Sequence, residues 1–331
     1  MYMSWAHDGF VDQPPRRATV PPWVRRRDTE PGPRAVGHRG YKAAYPENTM
    51  AAFRGAIEVG ASAIETDLHL SKDEIIVLSH DATLKRCFGD ARRVADCNWD
   101  ELSKLQTLRE PKQSMPRLLD LLEYLAQPEQ EHIWLLLDIK MDDNMTKLLS
   151  RLADTIESVP KTTRPWKQHV ILCPWNAEWV AGCLRYLPGF PITLIAFSPS
   201  YATAMLQVPN LNFNLFNYSF ATPSGRRFLR EAKQRGRLVF SWSDNQAEWM
   251  ARSICNEVDA VITDDPKQFL ELCGQSSSEV TTGRIRTIAA KWSVKEIGLW
   301  ILINFLVWVS ETVSGVVRGS PRSQVKKILG V

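Results

Sequence analysis

Residues 63–81 have the sequence AIETDLHLSKDEIIVLSHD, and this stretch decides how the chain is predicted to fold. It contains two apolar runs, Ala63–Asp67 and Ile75–Ser79, whose length and composition are typical of buried strands. The linker between them is too short for a parallel crossover, so the second run is predicted to fold back on the first as a hairpin. The hairpin is expected to place His80 opposite Glu65.

Around this hairpin, short apolar runs alternate with amphipathic stretches from residue 35 to residue 272. Such alternation indicates an α/β fold with parallel strands. When the hairpin strand is set aside, eight strand-like runs remain, which predicts a (β/α)8 barrel of the usual size of about 250 residues. These runs are Ala35–Gly37, Ala63–Asp67, Ile133–Asp138, Val170–Cys173, Ile192–Phe197, Phe213–Phe216, Leu238–Trp242 and Ala260–Thr263. The predicted helices are Thr49–Val59, Met145–Ile156, Ala177–Tyr186, Ser224–Gln234 and Gln246–Cys255.

The composition of the 331 residues, with 44% hydrophobic and 24% charged side chains, excludes a wholly disordered protein. The net charge of +4 gives no argument for nucleic-acid binding. Residues 1–34 hold six prolines and six arginines and are predicted to be a disordered leader without a secretory signal. The predicted barrel, 35–273, is followed by a basic linker, 274–296, an apolar segment, 297–317, and a basic tail, 318–331.

The longest apolar run of the chain is Ile297–Val309, with the sequence IGLWILINFLVWV. It is shorter than the roughly 20 apolar residues that a membrane-spanning helix needs. Tryptophans in the run and flanking Lys and Arg residues suit the surface of an anionic membrane. Three interpretations stay open, namely a short anchor lying in one leaflet or as a shallow hairpin, a single span, and a buried core or partner helix. The anchor is favoured because the run is apolar on all sides.

Charged side chains follow several predicted strands at their carboxyl ends. In barrel enzymes these strand ends form one face, which carries the active site, so the side chains are expected to converge there. Each residue alone has an ordinary structural explanation, whereas their joint occurrence at strand ends favours a catalytic site. The residues are His38, Arg39, Glu65, Asp67, His80, Asp138 and Lys140.

The types of these residues indicate metal-assisted cleavage of a phosphodiester. Glu65 and Asp67 are two positions apart on a strand and face the same way, so their charges repel unless a cation lies between them. With Asp138 they offer an all-oxygen site that suits Mg²⁺ or Ca²⁺. Arg39 and Lys140 supply positive charge for a phosphate. The two histidines have a near-neutral pKa suited to general acid and base catalysis.

These residues stand in motifs that resemble the glycerophosphodiester phosphodiesterase family, and the resemblance covers residues 35–273. Within the family the chain looks closest to fungal phosphatidylglycerol phospholipases C, which share a YPENT stretch, an LLLDIK-type strand and a hydrophobic C-terminal segment. The motifs are Gly37–Gly40 (GHRG), Pro46–Thr49 (PENT), Glu65–Asp67 (ETD), His80–Asp81 (HD), Asp138–Lys140 (DIK), Phe240–Ser243 (FSWS) and Ile262–Pro266 (ITDDP).

The resemblance implies a barrel phosphodiesterase that requires a divalent metal, Mg²⁺ or Ca²⁺. It implies that His38 and His80 are the catalytic pair. It also implies that Glu65, Asp67 and Asp138 are the metal ligands. Asp138 departs from the Glu that most relatives have, and its side chain is one methylene shorter, so the metal preference stays open.

The same resemblance implies the residues that bind the substrate. Arg39 and Lys140 resemble the cations that bind the phosphate. Glu47 and Asn48 resemble the loop that supports the site, for which a structural role at the start of a helix is the alternative. Trp242 resembles the aromatic residue that packs against the substrate glycerol, for which a role in the core is the alternative.

The implied reaction is hydrolysis of phosphatidylglycerol to diacylglycerol and glycerol phosphate through a cyclic phosphate. The apolar, basic C-terminal segment is the sequence feature that favours a lipid. One alternative is hydrolysis of soluble deacylated phospholipids to glycerol 3-phosphate and an alcohol. Two further alternatives are an inactive, membrane-tethered binding barrel and a sphingomyelinase-D-like barrel, against which the PENT and DIK motifs argue.

The six cysteines lie at scattered spacings without a zinc pattern, which indicates reduced thiols in a cytosol-facing protein. Together with the predicted anchor, this predicts a membrane-associated protein on mitochondria, the endoplasmic reticulum or lipid droplets. The expected partners are a phospholipid substrate and an anionic membrane surface. No nucleic acid and no protein partner is implied.

Overall fold

The computed structural model describes residues 21–24, 32–160, 164–274, 279–291, 297–303, 305–306 and 320–330. Eight parallel strands form one sheet in the order β5-β4-β2-β1-β9-β8-β7-β6, and β3 pairs with β2 outside this path. A parallel bridge between Leu172 and Ile192 joins the two ends of the sheet, so the barrel is nearly closed. The predicted eight-stranded barrel is therefore confirmed. The strands are β1 (Arg34–His38), β2 (Ala63–Leu70), β3 (Ile76–Leu78), β4 (Trp134–Ile139), β5 (Val170–Cys173), β6 (Thr193–Ala196), β7 (Asn212–Phe216), β8 (Val239–Trp242) and β9 (Ala260–Thr263).

Helices surround the barrel, and polar side chains begin several of them. Thr49 and Asn144, for example, each accept a hydrogen bond from a backbone N–H in the first turn of the helix that follows. The labelled helices are α1 (Met50–Glu58), α2 (Lys85–Phe88), α3 (Trp99–Leu102), α4 (Leu118–Leu125), α5 (Met145–Ser158), α6 (Ala177–Tyr186), α7 (Pro199–Met205), α8 (Pro223–Gln234), α9 (Ala247–Cys255), α10 (Pro266–Gly274), α11 (Glu279–Ala289) and α12 (Pro321–Leu329).

Alternation along each strand divides the apolar residues between two layers. On β2, Ala63 belongs to the cluster inside the barrel, whereas Ile64 and Leu68 pack in the layer between the strands and the helices. On β4, Trp134 and Leu136 likewise lie inside the barrel. The positions that continue the inward-facing series toward the carboxyl end of these strands are charged, which is why the site forms at that end.

The amino end of the barrel is covered by part of the predicted leader. Val24 is fully buried in the interior cluster, and the ring of Trp23 meets that of Trp134 edge-on at 5.9 Å. Residues 21–24 therefore differ from the predicted disorder. The rest of the predicted leader up to residue 31 lies outside the described residues.

The hairpin strand β3 pairs antiparallel with β2, with Leu68 opposite Leu78. Extending this register by two positions brings His80 level with Thr66, so the predicted pairing of His80 with Glu65 is wrong by one residue. The reason is that the tight turn at 71–74 sets the register, and its geometry cannot be derived from the apolar pattern alone.

The regions predicted as a basic linker and a basic tail contain helices that pack on the barrel. In α11, Ile285 is buried, and α11 contacts α9. In α12, Val325 is buried, and Tyr201 of α7 donates a hydrogen bond to Gln324 at 3.2 Å. Partly buried apolar side chains pack beside them, Ile288 and Ala289 in α11 and Ile328 and Leu329 in α12.

Between these two helices, residues 297–303, 305 and 306 are helical and expose apolar side chains. Ile301 and Phe305 are each 57% exposed. Within the described part of the chain, no helix has both the length and the apolar character needed to cross a bilayer. The rest of the predicted apolar segment lies outside the described residues.

Candidate active site

The carboxyl ends of β1, β2 and β4 lie side by side and bring the predicted site residues together. The strand register pairs His38 with Glu65 and Asp67 with Asp138. Because inward-facing positions recur every second residue, Lys140 follows Asp138 on the same face. The residues that the sequence placed at strand ends therefore meet in the mouth of the barrel.

Three buried carboxylates, which we call the acidic triad, lie at the centre of the mouth. One oxygen of each residue, Glu65, Asp67 and Asp138, lies within 4.8 Å of the others. Burial and the two neighbouring carboxylates raise the pKa of Glu65 well above its ordinary value. Burial likewise raises the pKa of Asp138 to about 6. Burial opposes ionisation of Asp67 too, but Lys140 and Arg39 hold its pKa well below the usual range.

The acidic triad fits a hard divalent cation. When all three carboxylates are ionised, their charges exceed the positive charges of Lys140 and Arg39, the two permanent cations beside them in the described part of the chain. Asp67 is buried, and its Oδ1 lies 2.8 Å from Lys140 Nζ. A donor set made only of carboxylate oxygens suits Mg²⁺, Ca²⁺ or a similar ion.

The loop that follows β1 holds Arg39 over the triad. Arg39 has a left-handed backbone with φ of 57°, and its N–H donates to Glu65 Oε2 at 2.9 Å. Its guanidinium donates to Glu47 at 2.8 Å and lies 3.3 Å from Asp67. Asn48 donates from its side chain to Asp67 at 2.8 Å. Glu47 and Asn48, predicted among the substrate-binding residues, thus hold protein side chains in position.

Each histidine of the predicted pair has a carboxylate partner at Nδ1. His38 Nδ1 lies 2.5 Å from Asp264 Oδ1, and Lys42 lies 3.1 Å from the other oxygen of that carboxylate. His80 Nδ1 lies 2.7 Å from Asp81 Oδ1. Burial lowers the pKa of both histidines below the ordinary value. A carboxylate at Nδ1 fixes the tautomer and leaves Nε2 as the nitrogen for proton transfer.

Arg86 links the residues around His80 to those around Arg39. It donates to Asp81 at 2.7 Å and to both oxygens of Glu47, at 2.8 and 2.7 Å. These bonds and those from Arg39 lower the pKa of Glu47 to about 2, against the effect of burial. Arg86 therefore connects the partner of one histidine to the partner of Arg39.

Aromatic rings line the other half of the mouth and form what we call the aromatic wall: Trp175, Phe197, Phe216 and Trp242. The ring of Phe197 lies 5.1–5.8 Å from the other three rings and is 43% exposed. Trp175 Nε1 donates to Asp138 Oδ1 at 2.6 Å, so the wall begins at the acidic triad. The predicted Trp242 therefore belongs to a larger apolar surface.

Several residues of the site were missed by the sequence reasoning. Asp264 stands in the quoted ITDDP motif, and Asp81 follows His80 directly, so both could have been found from the motifs. Phe197 and Phe216 end two of the predicted strand runs, so their place in the mouth could also have been found. No sequence signal marks Arg86 and Trp175, because they depend on contacts between distant segments.

Among known proteins, the chain is similar to a glycerophosphodiester phosphodiesterase from Caldanaerobacter subterraneus. The two are 26% identical over 246 residues, which cover 72% of this chain and 96% of the bacterial protein. A lysophospholipase D of Rattus norvegicus is 46% identical over 69 residues, which cover 21% of this chain and 22% of the rat protein. The first similarity covers most of this chain and nearly all of the bacterial protein, and the second is local.

Solved structures share the fold. A glycerophosphodiester phosphodiesterase from Thermotoga maritima aligns with a TM-score of 0.59 at 25% identity, covering 72% of this chain and 98% of that one. A phosphodiesterase from Oleispira antarctica, solved with the product sn-glycerol-3-phosphate, aligns with a TM-score of 0.61 at 18% identity, covering 72% and 96%.

A model of the glycerophosphoryl diester phosphodiesterase family matches residues 38–268. The match begins at His38 in the barrel mouth, ends in α10, and includes every residue of the acidic triad. It thus spans the geometry described above. The chain therefore belongs to the glycerophosphoryl diester phosphodiesterase family, whose members are metal-dependent phosphoric diester hydrolases.

Proposed function

We propose that the chain hydrolyses diesters in which phosphate links an alcohol to a glycerol with a free hydroxyl next to the ester. Its proposed membrane substrate is phosphatidylglycerol, which gives diacylglycerol and glycerol phosphate. The observation that carries the proposal is the pair of carboxylate-bound histidines, His38 and His80, beside a buried acidic triad. The barrel mouth therefore contains a general acid, a general base and groups that can bind an anion.

The residues of the chain divide the chemistry as follows. Arg39 and Lys140 bind the phosphate oxygens. One of the two histidines takes the proton from the free glycerol hydroxyl, whose oxygen attacks phosphorus, and the other protonates the departing alcohol. Water then opens the resulting cyclic phosphate with the roles exchanged. The acidic triad would hold Mg²⁺ or Ca²⁺, which supplies positive charge to a phosphate oxygen.

Two features support a lipid as the substrate. The aromatic wall offers an exposed apolar surface directly beside the acidic triad, where the apolar part of an amphiphile can bind. The apolar side chains at 297, 299, 301, 302, 305 and 306 are exposed, and basic residues on α11 and α12 flank them in sequence. An anionic membrane attracts such residues by about 1 kcal/mol for each basic side chain near its surface. We propose a membrane-associated, cytosol-facing enzyme.

A second candidate has its own observation. The local similarity to a rat lysophospholipase D supports a lysophospholipid as the substrate. In a lysophospholipid the free hydroxyl lies on the acylated glycerol, so the same internal attack releases the head-group alcohol. The soluble alternative, a deacylated glycerophosphodiester, carries the same hydroxyl without an acyl chain.

The test is product analysis with purified protein in mixed micelles, with and without a chelator. The panel comprises phosphatidylglycerol, lysophosphatidylcholine, glycerophosphoglycerol and phosphatidylcholine. Diacylglycerol release from phosphatidylglycerol that requires metal and exceeds the other rates supports the phospholipase C. Fastest release of choline from lysophosphatidylcholine would establish the second candidate, and fastest glycerophosphoglycerol cleavage the soluble one.

Phosphatidylcholine is the control for the mechanism, because it has no free hydroxyl next to either ester. Its cleavage at the rate of phosphatidylglycerol would refute internal attack. Absence of turnover with every substrate in the presence of Mg²⁺ and Ca²⁺ would indicate an inactive binding barrel.

A further inference from the structure

We infer that His69 and Asp143 are a positioning pair for the catalytic His80, which rests on the role proposed above for His80. His69 lies on β2, two positions beyond Asp67, and is 1% exposed. Its Nδ1 lies 2.8 Å from Asp143 Oδ2, and Asp143 is also nearly inaccessible, with 7% of its side chain exposed. A buried histidine–carboxylate pair therefore lies next to His80 in the barrel mouth.

The pair reaches His80 through the backbone. His69 Nε2 lies 3.3 Å from the carbonyl oxygen of His80. Because a carbonyl oxygen and an ionised carboxylate can only accept, both ring nitrogens of His69 carry a hydrogen, and Nε2 donates to His80 while Nδ1 donates to Asp143. The bond at Nδ1 fixes the ring in the plane that this donation requires, so Asp143 determines where the ring of His69 points.

Strand pairing does not include His80, so the His69–Asp143 pair supplies a bond to its backbone. Strand β3 ends at Leu78, and the described backbone bonds to β2 continue only to Ser79, whose N–H donates to Asp67 O at 3.1 Å. The side chain of His80 is 36% exposed and is bonded at Nδ1 to Asp81, its neighbour in the chain. His69 adds a bond to His80 from a segment that is rigid and buried.

Asp143 extends the connection to a third segment. It belongs to the loop between β4 and α5, and its other oxygen accepts a hydrogen bond from Leu70 N at 3.3 Å. The loop that follows Lys140 is thereby held against β2 and against the loop of His80. Within the described residues, the side-chain bonds of the pair go to each other, to Leu70 and to His80.

The test compares Asp143→Asn with Asp142→Asn, using the fastest substrate of the panel above. The two changes remove the same charge from adjacent positions of one loop, but Asp142 is exposed. We expect Asp143→Asn to lower kcat about 10- to 100-fold, because a displacement of an ångström at a reacting group costs that much. KM and the wild-type circular dichroism spectrum are expected to persist at the assay temperature. Asp142→Asn is expected to leave kcat unchanged.

A double-mutant cycle with His80→Ala assigns the effect. If the pair acts through His80, Asp143→Asn costs nothing further in the His80→Ala background. An equal loss in both backgrounds, or a loss of thermal stability with unchanged kcat, would overturn the inference. Should Asp143→Asn fail to fold, His69→Gln replaces it in the same cycle. Full activity of His80→Ala alone would instead contradict the proposed function of His80.

Discussion

At the scale of single residues, the site depends on how each charged group is held by the next. His38 is bonded to Asp264, and Arg39 is bonded to Glu47. These residues surround the acidic triad, whose ionised form is disfavoured by burial. Each partner favours one orientation of the group that it binds. Substitutions in this network are therefore expected to separate catalysis from stability.

Replacing either histidine of the pair tests their roles. We expect His38→Ala and His80→Ala each to lower kcat by about 100- to 10,000-fold, the usual effect of losing a general acid or base. Steady-state kinetics with saturating metal measures the effect. His132, an exposed histidine in the loop before β4, is the matched control, and His132→Ala should keep the wild-type rate. Wild-type kcat in both active-site variants would exclude the pair.

Glu47 gives a prediction about pH and stability. Its pKa falls from 4.5 to about 2 because Arg86 and Arg39 bind the ionised form. The resulting stabilisation is present above the unfolded-state pKa near 4.5 and is lost as the pH falls toward 2. Glu47→Gln should therefore be less stable than wild type at pH 7, and the difference should shrink between pH 4.5 and pH 2.

Urea unfolding at several pH values measures that difference. Glu129→Gln, a change at an exposed glutamate, is the control. A stability difference for Glu47→Gln that stays constant down to pH 2 would contradict the ion-pair account.

At the scale of elements, the barrel mouth has two halves of different chemical character. The ends of β1, β2 and β4 carry the charged groups, whereas Phe216 and Trp242 end β7 and β8 and belong to the aromatic wall. An amphiphilic substrate matches this division. The wall should therefore affect lipid substrates selectively.

Phe197→Ala removes the exposed ring of the wall. We expect it to raise KM for phosphatidylglycerol about 10-fold or more, because a large apolar contact is worth roughly 1.5–3 kcal/mol. The rate with glycerophosphoglycerol should change little, since that substrate has no acyl chains. Equal losses with both substrates would refute a lipid-binding role for the wall.

How far the sequence predicts these elements depends on the range of the interactions. Strands and the residues at their ends follow from local alternation, so the barrel and the acidic triad could be predicted. The bond from His38 to Asp264 joins residues 226 positions apart, and only the closed barrel brings them together. The hairpin register was missed because a turn of a few residues sets it.

At the scale of the whole molecule, we expect metal binding and folding to be coupled. Removing the charge of Glu65 relieves repulsion within the acidic triad, since burial and its two neighbours already raise the pKa of that group. We expect Glu65→Gln to be at least as stable as wild type without metal, and to lose the stabilisation that Mg²⁺ or Ca²⁺ gives. A ligand at 100 times its Kd stabilises the native state by about 2.7 kcal/mol.

Thermal unfolding with and without each ion measures this coupling. The wild-type midpoint should rise with metal, and that of Glu65→Gln should not. An equal rise in both proteins would indicate that the ions bind elsewhere.

Membrane association is a second property of the whole molecule. Ile301, Leu302 and Phe305 expose more than half of their side chains. Replacing all three by Ser should leave the fold intact and weaken co-sedimentation with vesicles of phosphatidylglycerol. Unchanged co-sedimentation would show that these residues do not carry the association.

The packing of α11 and α12 also determines how such an association would work. Both helices pack on the barrel, α11 against α9 and α12 against α6 and α7, and in sequence they stand on either side of the apolar stretch. If a membrane takes up this stretch, the barrel would be attached to it through two helices, one before and one after the stretch. Two attachment points would restrict rotation of the barrel relative to the membrane. Lipid substrates would then reach the barrel mouth by lateral diffusion in the leaflet, and the rate of turnover would depend on that diffusion.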